Sequence, residues 1–179
     1  MLAGGKLKHR NPSSDASSSA SAAATNHCWI EIAATRKGVA DLLDDDRVEE
    51  LPNHFTEDCL YKVISRENYD QGLPAGTIFC DGIGMLRDRI LAIRETQVYE
   101  PRSWRHFISG VRVVAQDGDA IRARANFLVT EAMSDADPTL FIVGRYDDIL
   151  VRREGRLLFR QRLAVCDNHH VRRSLVMPL

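Results

Sequence analysis

WRHFISGVRVVAQDGDAIRARANFLVTEAM, residues 104–133, decides the fold class. Its first half alternates as far as Asp117–Gly118, a dipeptide suited to the positive φ of a tight hairpin. Its second half returns with Ile121, Ala123, Ala125, Phe127 and Val129 on one face and Arg122, Arg124 and Asn126 on the other. A period of two on both arms predicts a long antiparallel pair. After SDADP the pattern repeats in TLFIVGRYDDILVRR, a turn at Glu154–Gly155 and RLLFRQRLAVCDN, so the carboxyl half reads as about four strands in a meander.

Toward the amino terminus the period changes. In MLRDRILAIRET, Leu86, Ile90 and Ile93 recur at i, i+4 and i+7 while Arg87 and Arg94 share another face, which predicts an amphipathic helix ended before Pro101. FTEDCLYKVIS places Cys59, Tyr61 and Val63 on one face of a strand, and ENYDQGLPAG reads as a loop. Trp29 to Leu51 is helical in pattern, with Ile32, Val39, Leu42 and Leu43 as core positions and Pro52 as its stop. Asp44, Asp45 and Asp46 read as a solvated turn between two helical pieces, because an EF-hand needs alternating oxygen ligands, a mid-loop Gly and a terminal Glu. The fold class predicted is α+β, a curved antiparallel sheet wrapping amino-terminal helices, as a single domain over 28–179. Residues 1–27, basic and then Ser/Ala-rich with Asp15 as the sole acid, read as a disordered tail or a start placed too far upstream, since the tract offers little apolar surface to bury.

Composition narrows the function. Lys and Arg number 24 against 25 Asp and Glu, a net charge of -1, so no global field favours nucleic acid or an anionic membrane. No apolar run approaches the roughly 18 residues of a membrane span. Cys28, Cys59, Cys80 and Cys166 form no C-x-x-C pair and are expected to be reduced, mostly buried thiols of a cytoplasmic protein. Cys166 with His169 and His170 offers two usable ligands at best, because adjacent residues on an extended chain point to opposite faces. No dinucleotide fingerprint, phosphate loop or nucleophile elbow is present.

His106, inside an apolar run beside Arg105, is the remaining chemical candidate. One reading makes it a general base in a cone-shaped cavity, with Asp58, Asp81 or Tyr61 as partner, in a stand-alone isomerase or dehydratase. The other reads the Arg-, Tyr- and Trp-rich segment around it as an interface anchor, with Arg87, Tyr99, Glu100, Arg102, Trp104, Arg105 and His106 at a subunit contact. A homodimeric small-molecule-binding module is a third class.

The blocks G-M-L-R-D-R at 84–89, Tyr99–Glu100, Arg105–His106, S-G-V-R-V at 109–113, LLDDDRVEELPNHFTEDCLYKV at 42–63 and R-L-A-V-C-D at 162–167 resemble the small (beta) subunits of aromatic-ring-hydroxylating dioxygenases. The resemblance covers about residues 40–179 and looks nearest the salicylate 5-hydroxylase and terephthalate dioxygenase types. Before residue 40 it departs, because NHCWIEIAATRKGVAD lacks the family's aromatic-rich first helix and Leu51 stands where Trp is common. The resemblance implies a nuclear-transport-factor-2-like (cystatin-like) cone and a non-catalytic supporting role in an oxygenase acting on an aromatic acid. It also implies no cofactor in this chain. A large (alpha) subunit is expected to carry a Rieske [2Fe-2S] cluster and a mononuclear non-haem iron, fed from NAD(P)H through a reductase, in a three-plus-three hetero-hexamer.

Overall fold

The computed structural model of the chain describes residues 12–95, 101–168 and 175–179, with side chains from residue 28 onward. Helix α1 (Pro12–Asp44) leads through a 3-10 turn (Val48–His54) into β1 (Phe55–Ser65). A one-turn helix α2 (Arg66–Asp70), a short β2 (Ile78–Asp81) and helix α3 (Ile83–Glu95) follow. The long strands β3 (Arg102–Asp117), β4 (Ala120–Met133), β5 (Ala136–Arg153) and β6 (Arg156–Cys166) complete the chain. They form one curved sheet in the order β2-β1-β6-β5-β4-β3, with the long strands as the predicted meander.

The apolar pattern explains the layers. Ile121, Ala123, Ala125, Phe127 and Val129 are all buried, and they meet Ile32, Val39 and Leu43 of α1 and Leu86, Ile90 and Ile93 of α3 in one core. Fully burying each Leu or Ile stabilises by about 1.5–3 kcal/mol, so the two helices are held to the sheet by these stripes. The turns Gly118 and Glu154–Gly155 have the positive φ that tight hairpins require. Close approach of β5 to β6 needs Gly144, where an added Cβ would lie 2.1 Å from the carbonyl oxygen of Val165.

Two expectations are corrected. The sheet is not wholly antiparallel, since β1 runs parallel to β6; β1 reaches the meander through α2, β2 and α3, so no tight turn dictates its direction. The segment read as a loop after β1 begins with α2, capped by Ser65, whose Oγ accepts from the Asn68 N–H at 3.2 Å. The turn expected between two helical pieces is there: α1 stops at Asp44, Asp46 turns the chain with φ of 58°, and the 3-10 turn is the second piece. Within the tract read as a disordered or mis-started tail, α1 begins at Pro12, in keeping with the high helix propensity of Ala and the fitness of Pro for a first helical position.

Candidate functional site

His106 answers the question its position raises. On the edge strand β3 the side chains of Trp104, His106 and Ile108 turn toward α1, while Arg105 and Phe107 face outward. The Asp44 carboxylate, at the last residue of α1, accepts the backbone N–H of His106 at 3.0 and 3.1 Å and lies 2.6 Å from its ring Nδ1. Both side chains are buried, at 3% and 4% exposure. A carboxylate at a helix C-terminus opposes the helix dipole, so these donors are what make Asp44 tolerable there. The same contact covers an N–H that an edge strand would otherwise leave open. A second tie, from the Trp29 indole N–H to the Val111 carbonyl at 2.8 Å, fixes α1 to β3 further along. Asp44 is therefore a clamp and not part of a solvated turn, and it is the partner of His106 that the sequence reading missed.

The catalytic alternative is not assembled. Asp58 and Asp81 are exposed, and Tyr61 is fully buried with its hydroxyl accepting from the Leu179 N–H at 2.6 Å and donating to the Leu179 carbonyl at 3.3 Å. Burial pushes the Tyr61 hydroxyl well above its ordinary range. Tyr61 sits on β1 and His106 on β3, with β6, β5 and β4 between them.

The residues expected at an interface divide. Arg102 pairs with Glu131 at 2.9 Å with both nearly buried, and Trp104 packs edge-on against Phe141 at 4.7 Å between ring centres, so both serve the interior. Arg105 and Arg87 are exposed, their nearest carboxylates 3.7 Å away at Asp44 and 3.6 Å away at Glu57. Tyr99 and Glu100 lie outside the described residues, as do His169 and His170.

Two further clusters are built on adjacent residues of β5. Asp147 faces outward and accepts from Arg122 at 2.8 and 3.0 Å, from Arg124 at 2.9 and 3.1 Å and from the Tyr69 hydroxyl at 2.7 Å. Burial alone would raise this carboxyl, yet the hydrogen bonds from Arg122, Tyr69 and Arg124 hold it well below the usual carboxylate range. Asp148 faces the core with Arg36 of α1 at 2.9 Å and Arg162 of β6 at 3.7 Å, and all three are buried. Here burial wins and pushes Asp148 up, against the pull of Arg162 and Arg36. Two acids in an apolar strand opposite the R-A-R of β4 were a legible signal, since neighbours on a strand point to opposite faces.

All four cysteines are free thiols, and burial pushes Cys59 up to about 11 and Cys166 to about 12. Among the described residues no three His, Cys, Asp or Glu side chains gather in a way that could hold a metal. A Rieske cluster needs two Cys and two His, and a non-haem iron two His and a carboxylate, so neither fits the described part of this chain. Nor is any described helix long and apolar enough to cross a membrane.

A helix-packed, curved sheet of this order is the nuclear-transport-factor-2-like cone, and it is shared by dioxygenase beta subunits. Residues 39–173 match the family of ring hydroxylating beta subunits, and the chain belongs to it. It is 34% identical to the anthranilate 1,2-dioxygenase small subunit of Burkholderia cepacia, over 84% of this chain and 94% of that one. It is 37% identical to subunit beta 2 of the terminal oxygenase component of a Comamonas terephthalate 1,2-dioxygenase, over 84% of this chain and 97% of that one. The crystal structure of a chain described as an aromatic-ring-hydroxylating dioxygenase beta subunit, from Novosphingobium aromaticivorans, superposes with a TM-score of 0.79 at 32% identity, covering 86% of this chain and 98% of that one.

Proposed function

We propose that this chain is the supporting small subunit of an oxygenase that hydroxylates an aromatic carboxylic acid. The observation that carries the reading is that relatives spanning 84% of the chain are named for anthranilate and for terephthalate, both aromatic carboxylates. On this reading a large subunit holds the Rieske cluster and the mononuclear iron, receives electrons from NAD(P)H through a reductase and binds the ring. Three large and three small subunits assemble in the cytoplasm, where NAD(P)H is supplied and free thiols such as those of this chain persist. Arg87 and Arg105, together with the outward Phe107 at 55% exposure, are the anchors this assembly would use. Arg102, Trp104 and His106 support them from behind.

Co-expression with the large-subunit gene tests the reading. The expected result is a complex with the light-scattering mass of six chains that consumes oxygen with benzoate, salicylate, anthranilate or terephthalate, while the small subunit alone turns over none of them. Failure to associate, or turnover of an aromatic acid by the isolated small chain, would overturn it.

A further inference from the structure

The core of the cone holds more positive charge than it neutralises. Arg36 and Arg162 are 0% and 1% exposed, and Asp148, also 0% exposed, is the one carboxylate paired with either of them among the described residues. Arg36 donates from Nε to Asp148 Oδ2 at 3.0 Å and from Nη2 to the Ala123 carbonyl at 2.9 Å, which leaves its Nη1 without a partner. Arg162 is sandwiched between the rings of Tyr146 and Phe159, with its guanidinium carbon 4.3 and 4.4 Å from their centres; its Nε lies 3.7 Å from Asp148 Oδ1, and its Nη2 has no hydrogen-bond partner among the described residues. Two cations against one anion leave an excess of one charge, and two buried nitrogens, Arg36 Nη1 and Arg162 Nη2, find no acceptor among the described residues. Each is a costly condition for a folded protein, and together they define the kind of group that would relieve it. It must accept several hydrogen bonds, be small and carry one negative charge.

We infer that the Arg36–Asp148–Arg162 cluster is an enclosed binding site for a small monovalent anion of halide or carboxylate type, seated against Arg36 Nη1 and Arg162 Nη2. A water molecule could take the hydrogen bonds but would leave the charge uncompensated. The faces of Tyr146 and Phe159 already occupy the two sides of the Arg162 guanidinium, so an anion can meet it only in its plane, where its N–H groups point. Arg36 comes from α1 and Arg162 from β6, so a shared anion would join the helix to the far side of the core. Substrate binding and assembly do not enter the inference.

The test uses the full chain, by itself or in the assembled oxygenase. Crystals grown in sodium bromide should give an anomalous peak within contact distance of Arg36 Nη1 or Arg162 Nη2. Replacing bromide by acetate should remove that peak and leave planar density there if carboxylates enter as well. Thermal or urea unfolding in chloride, at ionic strength held constant with gluconate, should show the apparent unfolding constant falling about tenfold per tenfold rise in chloride once the site is saturating, as mass action requires for one site. The Arg162→Met variant should lose this dependence. If it fails to fold, Arg36→Met and the bromide crystals still decide the matter. A peak with bromide, or density with acetate, supports the site; density for water alone in both salts, with no dependence of stability on chloride, overturns it.

Discussion

Asp147 and Asp148 are neighbours on β5, and each faces two arginines, yet the two surroundings have little else in common. Asp147 looks outward, where Arg122 and Arg124 are 45% and 28% exposed and Tyr69 adds a hydroxyl. Its excess positive charge reaches water, and the carboxylate is held ionised. Asp148 looks inward to arginines closed off from solvent, its Oδ1 3.7 Å from Arg162 Nε, and burial pushes its carboxyl up against the pull of both. The lesson is that counting ion pairs says little: hydrogen-bond geometry and access to solvent decide whether a two-to-one cluster is comfortable or strained.

The largest effect should come from the inner site. Asp148→Asn keeps shape but takes from two buried guanidiniums their carboxylate partner, and is expected to cost about 3–5 kcal/mol in urea unfolding, the range for breaking a buried pair by removing one partner. A loss below ~1 kcal/mol would mean that the inner guanidiniums do not depend on Asp148, which would break the contrast with Asp147.

Asp147→Asn is expected to cost less, about 2 kcal/mol, because its arginines can turn to solvent. The two sites should also respond to pH with opposite sign. A carboxyl held low in the folded state contributes stability that is present above its ordinary pKa, near 4, and lost as pH falls through the lowered value. A carboxyl pushed up contributes stability that is full below the ordinary value and lost as pH rises through the raised one. The Asp147→Asn variant should therefore lose part of the acid-side decline seen below about pH 4 in the parent chain. An unchanged acid limb would show that the outer cluster is not responsible for it.

A third carboxylate, Asp44, stands between these extremes, being buried but paired through a histidine and a backbone N–H. His106→Ala should destabilise the chain by about 2 kcal/mol through a lost buried hydrogen bond and a cavity. Loss of association with the large subunit should follow only where the fold is lost, and should recover at raised protein concentration. Weakened association with unchanged unfolding would place His106 directly at the interface.

Alternation made the meander and its core face legible, and the buried face of β4 is the one its sequence predicts. The spacing of Leu86, Ile90 and Ile93 likewise marked the packed side of α3. What period and composition cannot carry is pairing between distant residues. Asp44 and His106 are 62 positions apart, and Arg36 and Asp148 are 112 apart. Reading the three Asp residues at 44–46 as solvent-facing was reasonable for Asp45 and Asp46, which are exposed, and failed for Asp44 because the edge strand needed an acceptor there. The parallel pairing of β1 was hidden for a related reason, since strand direction across a long connection is set by packing. Residue type marks the Arg- and Trp-rich start of β3, but type does not say which way a strand turns its side chains.

The smallest effect, and the finest test of the comparison, concerns Arg122. It is the more exposed of the two outer arginines, and without it Asp147 keeps Arg124 and the Tyr69 hydroxyl. Arg122→Ala should thus cost less than about 1 kcal/mol at neutral pH, as partly exposed pairs usually do, and half-molar salt should reduce the difference further. The inner counterpart behaves otherwise if solvent access is what separates the two sites: Arg36 is fully buried, so Arg36→Met should change stability by more than Arg122→Ala and with no relief from salt screening of the pair itself. Urea unfolding of both variants at low and high salt measures this directly. Equal losses with equal salt dependence would sink the argument, because they would mean that the outer arginines are as closed to water as the inner ones.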